Sequence, residues 1–297
     1  MSFLVAQWET SGDGLSRVMR EQAEKLVTEC ETAGENPAAF AHKARVRAKK
    51  IRAALRLSAP LMGKKAYAKA NRWWRDAARE LSALRDADAR VEALEALSPF
   101  LTARIGTAMM RRLNERFHRE RSEVEPGPAV IAFCRMVAKN KKSLTPDLSP
   151  GSREEMAEAL VATYREARKA MGIAIKKRDP LLFHEWRKQT KYHALQARLM
   201  RLTFPETLED RTSGSRKLAE LLGDAQDIEV VLEGARDWAE APEGFTAALK
   251  ERRKQLLEDA TKAGRKLFSE KPKAFHARLL DPPQEKPRVL APVETME

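Results

Sequence analysis

The sequence predicts an all-helical chain built from two copies of one unit, and three observations predict it. Ala, Leu, Glu, Lys and Arg dominate the 297 residues, with 33% charged and only 6% aromatic side chains. A composition so poor in β-branched residues favours helix. Apolar residues recur at helical spacing along most of the chain. Two landmarks also recur: His42 aligns with His184, and Asp86 with Asp227, at separations that agree within one residue. A shared offset for independent landmarks argues for duplication.

The elements follow in order. Apolar positions at Leu15, Val18, Met19, Leu26 and Val27 predict a first helix reaching Cys30. Helical pattern continues over 37–59, 64–97 and 100–121, with breaks at Pro60–Gly63 and Ser98–Pro99. Glu125–Pro128 is a turn before a shorter helix running from Ala129. Residues 143–152 hold two prolines and a glycine with no hydrophobic periodicity, which predicts a linker. Helix resumes over 153–177, breaks at Asp179-Pro180, runs to Phe204-Pro205, and continues over 207–222, 227–240 and 245–270. The expected division is a first half over 1–142, the linker, a second half over 153–280 and a disordered Pro-rich tail over 281–297.

Lys and Arg number 56 against 43 Asp and Glu, a formal net charge of +13. Such an excess fits a polyanionic partner or a solubility device. Cys30 and Cys134, far apart in sequence and without a CxxC, make neither a disulfide framework nor a zinc site. No signal peptide is legible and no apolar run approaches the roughly 18 residues of a membrane span. A reducing cytoplasm is therefore the expected compartment.

The charge is not spread evenly. From Asn36 through Arg75 stand twelve Lys and Arg residues and no Asp or Glu. On a wheel of about 100° per residue, with His42 at 0°, Arg45 falls near 300°, Lys49 near 340°, Arg52 near 280° and Arg56 near 320°. These five occupy an arc of about 80° along roughly 21 Å of helix, beside a core stripe of Ala44, Ala48, Ile51 and Leu55. The second copy repeats the pattern. Arg187, Lys191 and Arg198 take the same wheel positions from His184 as Arg45, Lys49 and Arg56 take from His42, and Lys188 falls just to the other side of the histidine. Like charges three or four residues apart cost a few tenths of a kcal/mol each, so repeated crowding suggests an anion site rather than a solvated face.

Guanidinium groups grip phosphate oxygens bidentately and lysine adds a mobile charge. A linear stripe suits an extended phosphate chain. Single-strand nucleic-acid binders interleave stacking aromatics, which these stripes lack before Trp186 and Tyr192. An inorganic polyanion therefore fits better than nucleic acid. His42 and His184 open the stripes and are assigned to phosphate contact, with packing and metal ligation as alternatives; neighbouring Arg and Lys repel a divalent cation, and no metal site is expected. His118, His193 and His276 are assigned to packing or capping. Asp86 and Asp227 are expected to orient the stripe or offset its charge. Asp86 and Asp88, two residues apart on a helix, point to different faces. No P-loop, glycine-rich cradle, GxSxG or carboxylate cluster nominates catalysis, and no cofactor is expected.

With His42, Arg45, Lys49, Lys50 and Arg52 in one half, and His184, Arg187, Lys188 and Lys191 in the other, the sequence resembles the CHAD family, the conserved histidine α-helical domain. The segments 84–88 and 222–227 add to the likeness, which covers roughly 10–270. The resemblance implies two antiparallel four-helix bundles related by a pseudo-twofold axis, with a basic groove between them. It also implies inorganic polyphosphate as partner and, in some members, a location at polyphosphate or polyester granules. Members often sit beside a triphosphate-hydrolysing tunnel domain, of which no trace is legible here. The second half carries His193 and Ala194 where many members have another arginine, so it either grips more weakly or uses His193 instead. The resulting expectation is a non-catalytic polyphosphate binder. Its contacts are Arg45, Lys49, Lys50, Arg52, Arg56, Arg187, Lys188, Lys191 and Arg198, with His42 and His184 at the centre. The alternatives are a phosphohydrolase or phosphotransferase on polyphosphate or nucleotides, or a nucleic-acid-binding or granule scaffold.

Overall fold

Short polar residues start the helices where the backbone needs them. Thr10 accepts the Asp13 N–H at 3.1 Å, and Asn36 accepts that of Ala39 at 3.1 Å. Ser152 and Glu155 cap each other reciprocally at 2.8 and 3.1 Å, and Asp179 accepts the Leu181 N–H at 2.7 Å. Each satisfies donors that a helix N-terminus leaves open. Pro37 and Pro180 follow two of these caps at the first helical position, where a missing N–H costs nothing. The computed structural model describes residues 3–140, 144–239 and 241–281.

The helices of the described residues are α1 (Ser11–Glu31), α2 (Pro37–Leu57), α3 (Ala59–Met62), α4 (Lys64–Glu80), α5 (Ser82–Ser122), α6 (Pro126–Lys139), α7 (Arg153–Lys177), α8 (Pro180–Leu199), α9 (Pro205–Gly234), α10 (Phe245–Leu267) and α11 (Pro272–Leu280). Helices α1 and α7 begin at 11 and 153, α2 and α8 at 37 and 180, and α4 and α9 at 64 and 205. The helix order thus repeats at nearly the offset of the sequence landmarks.

Three boundaries differ from the expectation. The chain breaks at Leu81 rather than at Ser98–Pro99, and Pro99 lies inside α5. Leu94, Leu97 and Leu101 are buried on either side of it, and their packing outweighs the lost backbone hydrogen bond. The turn comes instead at Gly106, where φ 78° and ψ 161° suit only glycine. There α5 folds back on itself: Asp88 pairs with Arg121, and Arg90 with Glu120 at 3.5 Å. Finally, α9 is one helix where two were expected, because Leu218, Leu222, Ala225, Ile228 and Val231 form one buried stripe across Gly223.

One apolar core spans both halves, joining Leu26, Phe40, Ile51, Trp74 and Phe133 to Leu160, Tyr164, Trp186, Phe268 and Phe275. A second core packs α5, α9 and α10 together through Leu94, Leu113, Phe117, Ile228, Trp238 and Leu249. The described part of the expected linker, 144–152, is irregular and is bonded to the first half. The Leu144 carbonyl accepts from the Trp74 indole at 3.2 Å, Pro150 from the Gly12 N–H at 2.6 Å, and the Ser149 hydroxyl donates to Leu61 at 3.3 Å. The expected disordered tail lies, apart from Asp281, outside the described residues.

Cys30 on α1 and Cys134 on α6 are free but near enough for each thiol to influence the other, an encounter that sequence separation did not suggest. Burial pushes both thiols above the ordinary cysteine range. No helix among the described residues is long and apolar enough to cross a membrane.

Candidate functional site

Helix α2 turns its small residues inward. Ala44, Ala48, Ile51 and Leu55 are at most 1% exposed, so the cationic residues beside them border the core, as the wheel requires. Arg45 donates from Nη1 to the Ala78 carbonyl at 3.2 Å, and Arg52 from Nε to Asn71 Oδ1 at 3.1 Å. Both side chains therefore reach across to α4. There Arg75 and Arg79 join them, and Arg45, Lys49, Arg52, Arg75 and Arg79 line one cleft of about 200 Å³. Asp76 is the carboxylate beside it, 2.9 Å from Arg75 and 3.9 Å from Arg79. The sequence stripe did not include Arg75 and Arg79. Their spacing of four residues on a helix starting just after Gly63 could have nominated them.

Helices α2 and α8 touch in antiparallel register. Arg56 stacks over the Tyr192 ring at 4.0 Å, and Gln196 Nε2 donates to the Ala53 carbonyl at 3.2 Å. The charge of Arg198 reaches Lys50. Residue numbers fall along α2 as they rise along α8. The C-terminal end of the α2 stripe thereby meets α8 at Tyr192. His42 and His184 consequently sit at opposite ends of the pair, not at its centre, and both are exposed.

The remaining expected residues divide. Lys50 points to the other edge of α2, with its ammonium 5.5 Å from the Phe3 ring centre; burial and the charges of Arg198 and Arg47 hold its pKa below the ordinary lysine value. Arg198 is exposed, and its charge reaches Lys50. Arg47, next on the helix, is bound by Glu29 at 2.5 and 2.7 Å. Lys188 forms an ion pair with Glu185 one turn away. Arg187 lies against Gly223, its Nε 3.8 Å from where a β-carbon would sit, and its charge reaches Asp224. Lys191 is half-buried. His184 Nδ1 is 3.1 Å from Gln226 Oε1.

Asp86 is exposed and Asp227 half-buried; Asp88 belongs to the α5 hairpin through Arg121. His193 does not substitute for an arginine. It is 0% exposed, ringed by Tyr164, Phe268 and Phe275 at 5.7 to 6.2 Å. Desolvation, with Arg211 nearby, drives its pKa down to about 3. His118 is exposed rather than packed. No group of three or more His, Cys, Asp or Glu side chains comes together among the described residues.

Fold and cleft define a helical, internally repeated domain whose two histidine-led helices carry cationic edges. The chain belongs to the CHAD domain family, whose model matches residues 17–233. It is similar in fold to PptA from Streptomyces chartreusis, with a TM-score of 0.54 and 17% identity over 87% of this chain and 99% of that one. No curated protein sequence matches it.

Proposed function

We propose that the chain binds inorganic polyphosphate without hydrolysing it, along a basic track that follows α2, passes the α2–α8 crossing and continues along α8. The observation that carries this reading is the cleft of Arg45, Lys49, Arg52, Arg75 and Arg79, five formal cations around about 200 Å³. Crowded like charges repel, and a bound polyanion turns that repulsion into attraction. Membership of the CHAD domain family supports a polyphosphate-related role. From His42 to Arg56, and back from Tyr192 to His184, the track is about 33 Å long at 1.5 Å per residue. A long chain engages both halves at once and gains avidity over a short one. The same track would hold the protein on polyphosphate granules.

The duplication reads as two four-helix bundles related by a pseudo-twofold axis near Ala53 and Gln196. The offset that carries His42 onto His184 also maps the Arg56–Tyr192 contact onto Lys50–Arg198, as twofold symmetry demands. Phosphate contact is assigned to Arg45, Lys49, Arg52, Arg56, Arg75, Arg79, Arg187 and Lys191, with His42 and His184 capping the two ends.

The test is retention of the protein on immobilised polyphosphate against rising salt, with single-stranded RNA as competitor at equal phosphate concentration. Polyphosphate should win, and reversing Arg45 and Arg187 together to Glu should abolish retention while circular dichroism stays unchanged. Preference for RNA, or phosphate release from long-chain polyphosphate with magnesium or manganese, would replace this reading with a nucleic-acid binder or a hydrolase.

A further inference from the structure

The groove between α7 and α10 lies apart from the α2–α4 cleft and meets the proposed polyphosphate track only at His184 at its wide end, and its chemistry differs. Arg168 on α7 donates to the Phe268 carbonyl just past α10 at 2.9 Å. Toward the other end, Ile175 and Arg178 share a cleft with Lys254 and Leu257, so the two helices run antiparallel. Three clefts of about 500, 490 and 1010 Å³ follow one another along this face. The first and second share Arg265; the second and third share Lys250 and Arg253. They form one continuous groove.

Its floor is apolar: Met171, Ile175, Phe183 and Leu257, then Leu232 and Trp238 at the wide end. Leu181 adds a side chain 79% exposed at that end. The rim is cationic, with Arg168, Arg178, Lys250, Lys254 and Arg265 along it and Glu258 as the acid lining the middle cleft. Lys254 has Glu251 at 4.0 Å, and Arg253 is paired with Glu229. Arg178 holds a left-handed backbone, φ 56°, a conformation that non-glycine residues adopt at a cost.

An inorganic polyanion gains nothing from an apolar floor, and a flat lipid surface does not reach into a trough between two helices. From Lys250 to Arg265 the groove spans about 22 Å of helix, the length of roughly four helical turns. We infer that this groove docks an acidic amphipathic helix of a partner protein. Its apolar stripe would lie on Ile175, Phe183 and Leu257, with its carboxylates facing Arg178, Lys254 and Arg265 in the helix-in-groove manner. The inference rests on the apolar floor and cationic rim of the first two clefts, none of whose lining residues belongs to the polyphosphate track.

The probe is a fluorescein-labelled synthetic peptide of about five turns, with leucines at i, i+3, i+4 and i+7 spacing and glutamates between them. A scrambled peptide of the same composition serves as control, and both are titrated with the full chain by anisotropy. The striped peptide should bind at least tenfold more tightly than the scrambled one, since net charge alone attracts both equally. Arg178→Glu with Lys254→Glu, two exposed positions, should weaken it tenfold or more and leave polyphosphate retention unchanged. Leu257→Lys, checked for helicity, should remove the preference for the striped peptide. Equal binding of the two peptides, or indifference to the double reversal, overturns the inference. So does stoichiometric displacement of the peptide by short polyphosphate, which would hand the groove to the phosphate chain.

Discussion

Replacing Arg75 and Arg79 with alanine removes two of the five cations around the α2–α4 cleft without touching the core, because their side chains are 50% and 68% exposed. For a short polyphosphate that occupies this cleft alone, and about 0.7 counterions released per phosphate contact as for single strands, five contacts give a slope of log affinity against log salt near −3.5. Three contacts give about −2.1. Between 50 and 200 mM salt, about 0.6 logarithmic units, the wild-type chain should lose roughly 130-fold in affinity and the double variant roughly 18-fold. Asp76, freed of both partners, would add repulsion and lower the variant's affinity at every salt concentration. Asp76→Asn should accordingly tighten binding in the otherwise intact chain. Anisotropy of labelled polyphosphate across a salt series reads the slopes, and circular dichroism confirms the fold. An unchanged slope in the double variant would show that the cleft does not hold phosphate, whatever its charge.

Three further outcomes follow from particular residues. His193 is neutral in the fold, with its pKa near 3, while the unfolded chain takes up a proton below about pH 6.5. Its share of stability is thus complete above pH 6.5 and lost as pH falls toward 3, by about 2 kcal/mol at pH 5; denaturant titrations of His193→Phe should show that much less acid sensitivity. Gly106→Ala forces a side chain into φ 78°, ψ 161° and should cost about 1–3 kcal/mol, visible as a lower Tm. Arg47→Ala breaks the half-buried pair with Glu29 and should cost about 1 kcal/mol while leaving polyphosphate affinity nearly intact. An affinity loss equal to that of Arg52→Ala would put Arg47 in the track.

Helix type, the repeat and the stripe on α2 were legible because each is a local or periodic property. The wheel that set Ala44, Ala48, Ile51 and Leu55 inside and Arg45 beside them needed only the helical period. What escaped was whatever another helix decides. Arg75 and Arg79 share the cleft with Arg45, Lys49 and Arg52, and no pattern along α2 alone places them there. Lys188 is the exception, since its partner Glu185 stands three residues back on the same helix and was open to a local reading. The positions of His42 and His184 depend on whether α2 and α8 run parallel or antiparallel, which no pattern along either helix records. Pro99 reads as a stop in any local scheme, and only the contacts of α5 with α9 carry the helix through it. His193 sits at a register shared by neither the stripe nor an obvious core pattern, and the rings of Phe268 and Phe275 that bury it lie two and three helices further down the chain.

The apolar core shared by the two repeats has a consequence for how the chain can be cut. Phe40 and Trp74 lie in the same buried cluster as Tyr164 and Trp186, so severing the chain near position 150 strips each fragment of part of its interior. Separately expressed fragments should stay soluble only when mixed, and the intact chain should melt in a single cooperative step.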